Sequence, residues 1–204
     1  MRKITAGLFV SLDGVVEDPH RWHFPYFDDD MGAAVGSRIG SADTLLLGRK
    51  TYEGFAEAWP AREAAGGEDA GMARVFGDAR KIVVSTRELE FTWRNSERLR
   101  GDLVDAVTAL KNEPGTSDIA MSGSVSVVRQ LLIAGLLDEL HLLVHPIALH
   151  RGLRLFDGGE VPIPLGLVSA QAFTTGVVHL VYRPGEPTGP STYEAAKAHL
   201  PRSR

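Results

Sequence analysis

At 204 residues the chain has room for one full-sized α/β domain, or for one domain and a tail. Its 44% hydrophobic and 24% charged residues are ordinary for a globular protein. A formal charge of −4 argues against nucleic acid as a partner, which calls for a broad basic face, while leaving room for a local cationic pocket that holds a small anion. The lack of cysteine excludes disulfides, thiolate metal sites and cysteine nucleophiles.

In chain order, residues 3–10 read as a first strand, followed by turn chemistry at Ser11-Leu12-Asp13-Gly14. Residues 15–27 read as an aromatic-rich loop. Asp28 to Gly40 reads as a helix whose three leading aspartates suit a helix N-terminus. Thr44 to Leu47 is a short buried strand, and Thr51 to Ala58 a short helix ended by Trp59-Pro60. Residues 61–71, rich in Ala, Gly and Glu, read as a surface excursion. Strands are expected at 81–85, 118–121 and 139–144, and helices at 102–111 and 124–134. Residues 167–173 and 177–182 form a closing antiparallel hairpin around Thr175-Gly176.

This alternation predicts an α/β domain over residues 1–183, with a mostly parallel sheet and an antiparallel edge. Residues 184–204 read as a linker and tail. Ser191 and Glu194 there suit a capping box before a short helix. Neither a signal peptide nor a membrane span is expected, because Arg129, Asp138, Glu139, His141 and His145 interrupt the most apolar stretch. The cytoplasm is the expected location.

Three segments carry chemistry. Gly48-Arg49-Lys50-Thr51 leads from a buried strand into a helix start: glycine admits a ligand to the backbone, the helix end offers free N–H groups, and two cations stand ready for a phosphate. An ordinary turn with solvated basic residues fits the same pattern. Ser122-Gly123-Ser124-Val125 is a second strand-to-helix turn, readable as a phosphate cradle or as a simple cap. Ser85-Thr86-Arg87 ends a third strand with two hydroxyls and a cation. All three lie at carboxyl ends of strands, where open α/β sheets bind ligands, and that coincidence favours a nucleotide site. Neither glycine turn is a dinucleotide fingerprint or a P-loop. His141 and His145 lack zinc-ligand context, and Asp28-Asp29-Asp30 lacks ion-loop spacing, so no metal site is expected.

Ser11-Leu12-Asp13-Gly14, Leu46 to Tyr52, Val83-Val84-Ser85, Ser122-Gly123-Ser124 and Leu136 to Leu140 together resemble the dihydrofolate reductase-like superfamily, in the group containing the riboflavin-biosynthesis reductase C-terminal domain. The resemblance runs from Arg2 to Pro184. It implies a three-layer fold with a central, mostly parallel sheet of about eight strands, an antiparallel C-terminal edge and helices on both faces. It also implies NADPH as hydride donor, a ribosylaminopyrimidine-like or other small heterocyclic substrate, and a homodimer. On this resemblance Gly48, Arg49, Lys50 and Thr51 hold the pyrophosphate and 2′-phosphate, and Ser85, Thr86 and Arg87 line the adenosine end. Gly123, Ser124 and Val125 pass beneath the pyrophosphate and nicotinamide ribose, and Ser122 or Ser124 is placed to donate to a phosphate oxygen. His150 stands where a glycine is common. Trp22 to Asp28 is similar to the folate reductases' substrate-binding stretch, one residue out of register, which makes Asp28 the candidate catalytic carboxylate, with Asp29 or Asp30 as alternatives and plain helix-start charge as the competing role. Two further readings stay open: a nucleotide-binding protein of the same fold without turnover, and a structural or regulatory dimer.

Overall fold

A computed structural model describes residues 1–159, 161–187, 189 and 192–200. Eight strands form one sheet: β1 (Ile4–Ser11), β2 (Ala42–Gly48), β3 (Arg80–Val84), β4 (Ser96–Arg98), β5 (Asp118–Met121), β6 (Glu139–His145), β7 (Leu165–Ala172) and β8 (Val178–Pro184). Their order is β4-β3-β2-β5-β1-β6-β8-β7. Every pairing from β4 to β6 is parallel, and β8 and β7 add the antiparallel edge. The helices are α1 (Asp29–Gly40), α2 (Arg49–Ala65), α3 (Ala70–Asp78), α4 (Leu103–Asn112), α5 (Val125–Ile133) and the short α6 (Tyr193–Ala196).

The three layers follow from side-chain alternation in strands buried on both sides. Leu46, Ile82, Ile119 and Met121 join Val107 and Leu110 of α4 and Val128 and Leu131 of α5 in one cluster. Leu45, Leu47, Val83 and Ala120 point the other way, onto Ile39 of α1, Tyr52 of α2 and Phe76 of α3. Leu45, Leu46 and Leu47 are each at most 2% exposed. Burial of this order contributes about 2 kcal/mol per leucine. Local chemistry sets the helix ends. The Asp102 carboxylate accepts from the Val104 and Asp105 amides at 2.9 and 3.2 Å to start α4. Gly66, at φ 69°, closes α2 in the left-handed conformation that glycine favours.

Three expectations need correction, and one strand was not anticipated. Trp59-Pro60 does not end a helix at Ala58: α2 runs through Pro60 to Ala65. The proline forfeits one backbone hydrogen bond. Packing overrides that cost, because Trp59 lies 4.5 Å from Phe76 and 6.0 Å from Phe55 between ring centroids, pinning α2 to α3. Residues 61–71 are accordingly the last turn of α2, a short turn and the start of α3, not a surface excursion. The three-residue strand β4 lacked any apolar pattern. Ser191, expected to cap the last helix, lies outside the described residues; Thr192 caps α6 by accepting from the Ala195 amide, and Glu194 pairs with Lys197 instead of reaching back.

One lysine sits deep in the second layer. Lys81 is fully buried, and its ammonium donates to the Phe76 and Gly77 carbonyls in the last turn of α3 at 3.0 and 2.7 Å, 4.2 Å from the Trp93 ring centre. Burial pushes it down to about 8, so it remains mostly charged at neutral pH, where the helix C-terminus and the ring face both favour a cation. Lys81→Ala is expected to lower the unfolding free energy by about 3 kcal/mol, because it empties a packed site and takes the ammonium donor from the Phe76 and Gly77 carbonyls, of which Gly77 keeps only a 3.3 Å bond from Asn95. Urea denaturation measures this, and a loss below about 1 kcal/mol would deny Lys81 a structural role.

Candidate functional site

The carboxyl ends of β3, β2 and β5 stand side by side, because these strands are neighbours in the sheet. This adjacency brings the two glycine turns into contact. A Cβ on Gly48 would overlap the Ser124 hydroxyl and stand 2.5 Å from the Ser124 Cβ. A Cβ on Gly123 would meet Thr51 Oγ1 at 2.9 Å, and Gly123 is at φ 110°, a conformation that L side chains rarely adopt. The turns therefore nest by omitting side chains.

Each turn opens a helix whose cap residue makes no side-chain hydrogen bond: Gly48 for α2 and Ser124 for α5. Neither first turn carries an acidic residue. Two sets of free N–H groups and two positive dipole ends thus lie at one place, an arrangement suited to a pyrophosphate. Ser124 was expected to cap α5 or to meet a phosphate; its hydroxyl has not been spent on the cap. Val125 begins α5 half-buried.

The surrounding cations are held loosely. Arg49 Nη1 donates to both Glu53 carboxylate oxygens at 2.9 Å, four residues on along α2. An exposed pair of this kind is worth about 0.3–0.5 kcal/mol, so a phosphate would displace the glutamate at small cost. Lys50 is exposed. At the end of β3 the Ser85 hydroxyl donates to the Arg87 carbonyl and accepts from the Arg87 amide, closing a tight turn that leaves Thr86 and Arg87 at the surface. Arg98 of β4 supports this turn by donating to the Ser85 carbonyl at 3.1 Å.

Asp28 lies on the other side of β1. It is the cap of α1, with Oδ1 accepting from the Met31 amide at 2.9 Å and Oδ2 from the Thr174 hydroxyl at 3.1 Å. The Met31 amide bond, aided by Thr174 and Thr175, holds its carboxyl below the usual range, so Asp28 is ionised at neutral pH and carries no proton to donate. Asp29 and Asp30 occupy the first turn of α1.

Above β1 and β6, two loops interlock. The Asp13 carboxylate accepts from Ser11 Oγ and from the Leu149 and His150 amides at 2.7, 3.0 and 2.8 Å, and these bonds drive its pKa far down, the serine bond most. Val16 donates to the Leu153 carbonyl and Leu155 to the Gly14 carbonyl, both through the backbone. His150 adopts φ 65°, so the backbone keeps the left-handed turn despite the missing glycine. Beneath lies an aromatic cluster. His23 stacks on Phe9 at 4.3 Å and meets Phe24 at a tilt at 4.2 Å, and fully buried His145 meets Trp22, Tyr26 and Phe9 edge-on. Burial pushes His23 down to about 4.

One residue of the cleft was not anticipated. Arg38 of α1 is 9% exposed and lies across Gly7 of β1, where an added Cβ would stand 2.6 Å from its Cζ. It donates to the Met121 carbonyl at 3.0 Å and to the Ser122 hydroxyl at 3.2 Å. Burial lowers its pKa to about 10, which leaves it charged at neutral pH. The available signal was its place in the apolar stripe Met31-Val35-Arg38-Ile39, where a charge is out of pattern.

A concavity of about 460 Å³ lies at the amino ends of β3 and β4, lined by Asp78, Arg80, Asn95, Ser96 and Glu97. Its walls pair acids with a base and offer no helix start, so the chemistry points to the carboxyl edge instead. Among the described residues no group of three or more histidines and acids converges as a metal site would, and no helix is long and apolar enough to cross a membrane.

The RibD C-terminal domain family matches residues 2–179. The uncharacterized protein YyaP of Bacillus subtilis (strain 168) is 30% identical over 182 residues, covering 89% of this chain and 94% of its own. Among solved structures, a putative riboflavin biosynthesis protein from Shewanella sp. PV-4 superposes with a TM-score of 0.68 at 18% identity, covering 90% of this chain and 99% of that one. A pyrimidine reductase-like protein from Corynebacterium diphtheriae gives 0.60 at 16% identity over 91% and 93%. A diaminohydroxyphosphoribosylaminopyrimidine deaminase/5-amino-6-(5-phosphoribosylamino)uracil reductase from Thermotoga maritima gives 0.63 at 18% identity, with 90% of this chain covering 57% of that one.

Proposed function

The chain belongs to the RibD C-terminal domain family, and from that membership together with its cleft we propose that it is an NADPH-dependent reductase of a small heterocyclic substrate, of the ribosylaminopyrimidine kind. The observation that carries this reading is the nesting of Gly48 on Ser124 and of Gly123 on Thr51, which joins two uncapped helix starts into one anion cradle. NADPH would supply a hydride to a C=N or C=O bond of the substrate. The chain's own part is to position and to keep water out. Gly48 to Thr51 hold the pyrophosphate, and the turn from Ser122 to Val125 passes beneath it and the nicotinamide ribose. Arg49, with Lys50 and Arg87 nearby, meets the 2′-phosphate, and Ser85 and Thr86 line the adenosine end. The loops clamped by Asp13 cover the reacting end. Asp28 has both oxygens engaged as acceptors, so it orients the α1 entrance and the proton comes from water. We further propose a second copy as partner, supported by the exposed edge strand β7, where Leu167 and Val168 are 57% and 53% exposed.

The test is a side-by-side titration of NADPH and NADH against wild type and Arg49→Ala. The variant is expected to weaken NADPH about tenfold or more while leaving NADH within about twofold, since a charge-assisted bidentate pair with the 2′-phosphate is lost. Equal effects on both cofactors would remove Arg49 from the 2′-phosphate. Binding of NADPH without oxidation by any pterin, ribosylaminopyrimidine or carbonyl compound would favour the protein without turnover.

A further inference from the structure

We propose that Arg38 is the positioning residue for the nicotinamide half of the cofactor site, holding the Ser122-Gly123-Ser124 turn from behind; the inference rests on the NADPH reading. A buried guanidinium needs a reason, because desolvating a charge is costly and an apolar side chain would fill the same space without that cost. No carboxylate supplies the reason: among the described residues Arg38 forms no ion pair. Its neighbours His141 and His179 are both pushed toward the neutral form by burial, and Arg38 lowers them further. Glu139, the nearest acid to that pair, lies 3.4 Å from His141 Nε2.

The bonds Arg38 does make converge on one element. Nη1 takes the last carbonyl of β5 and Nη2 takes the hydroxyl of the first turn residue, so two prongs of a rigid fork fix both sides of the Met121-Ser122 junction. Gly7 completes the device: any side chain there would evict the guanidinium. The turn so held is the one whose Gly123 packs on Thr51 and whose Ser124 packs on Gly48. A shift at Ser122 therefore moves the turn that forms one wall of the cradle, while Arg49, Arg87 and the adenosine end sit on other strands. The buried positive charge also stands behind the turn, without a countercharge, where it favours an anion on the far side.

The experiment measures equilibrium binding of NADPH and of adenosine 2′-monophosphate, which lacks both the pyrophosphate and the nicotinamide half, to wild type, Arg38→Met and Arg38→Lys. Arg38→Met is expected to weaken NADPH about tenfold or more and adenosine 2′-monophosphate by less than about twofold. Arg38→Lys keeps the charge and loses the fork, so its NADPH affinity falls between the two. Should Arg38→Met not fold, Ser122→Ala removes one prong's acceptor and is expected to show the same selectivity at about threefold. Equal losses on both ligands, or unchanged NADPH affinity, overturn the proposal. A wild-type protein that binds neither ligand overturns the cofactor reading itself, a distinct result.

Discussion

Gly48→Ala is expected to weaken NADPH binding by about ten- to a hundredfold, and Ser124→Gly in the same chain to restore most of it. The alanine methyl has nowhere to go, since its position overlaps the Ser124 hydroxyl and stands 2.5 Å from Ser124 Cβ. Backbone strain is not involved, because Gly48 already has φ −76°, ψ 158°, which alanine adopts freely. The variant must therefore part the two turns, and overpacking of this kind costs about 1–3 kcal/mol, taken directly from the geometry that aligns two helix starts on one ligand. Removing the Ser124 side chain clears the overlap, leaving Ser124 Cα at an ordinary 3.5 Å. Isothermal titration of the two single variants and the double variant closes a mutant cycle. Additive losses, with no recovery in the double variant, would show that the two turns do not meet across the ligand as described.

The second large effect concerns acid. Stability is expected to fall by about 3 kcal/mol or more between pH 6.5 and pH 4 through the buried histidines. Burial lowers His23, His141, His145 and His179 alike, His23 to about 4 with its neighbours His145 and His20 adding to the shift. The sign follows from proton counting. Each histidine takes up a proton near pH 6.5 in the unfolded chain and at lower pH in the folded one, so acid favours unfolding. Above pH 6.5 both states are neutral and the contribution is constant; below it, stability drains until the folded pKa is reached. At 1.4 kcal/mol per unit, His23 alone accounts for about 3 kcal/mol. Urea denaturation at intervals from pH 7.5 to 4 reads the slope. His23→Phe, which keeps a ring against Phe9 and Phe24, is expected to remove at least about 1 kcal/mol of the pH dependence. Parallel curves for the two proteins would reject a buried neutral His23. Asp13 and Asp28, whose pKa values are lowered, contribute in a separate window below their usual range.

Elements that announce themselves by short apolar runs were legible in the sequence: the Leu45-Leu46-Leu47 run, the Ile119 to Met121 strand and the Leu140 to Val144 strand. So were ends written by a side chain, such as the caps Asp28 and Asp102. What escaped depended on tertiary context. Pro60 reads locally as a stop, and only the Trp59-Phe76 contact explains why α2 passes through it. α3 is short and holds two glycines in nine residues, while β4 takes its form from the neighbouring strand. In the site, glycine betrayed both turns because close backbone approach selects it. That the turns touch was not readable, since β2 and β5 are separated by two strands in the chain and become neighbours only in the sheet. Arg38 escaped for a related reason: its purpose lies in β5 and Gly7, far from it in sequence.

The central place of β1 also has a consequence for how the chain is made. Ile4 to Ala6 pair with Ile119 to Met121, and Thr5 to Ser11 with Glu139 to His145. The strand that leaves the ribosome first among the eight is thus flanked only by two of the later ones. During synthesis its apolar face and both backbone edges wait, unsatisfied, until β6 has emerged. Such long-range closure slows folding and prolongs exposure to misassembly. The middle of the sheet that carries the cleft is sealed only after the β2-β3-β4 flank has already emerged.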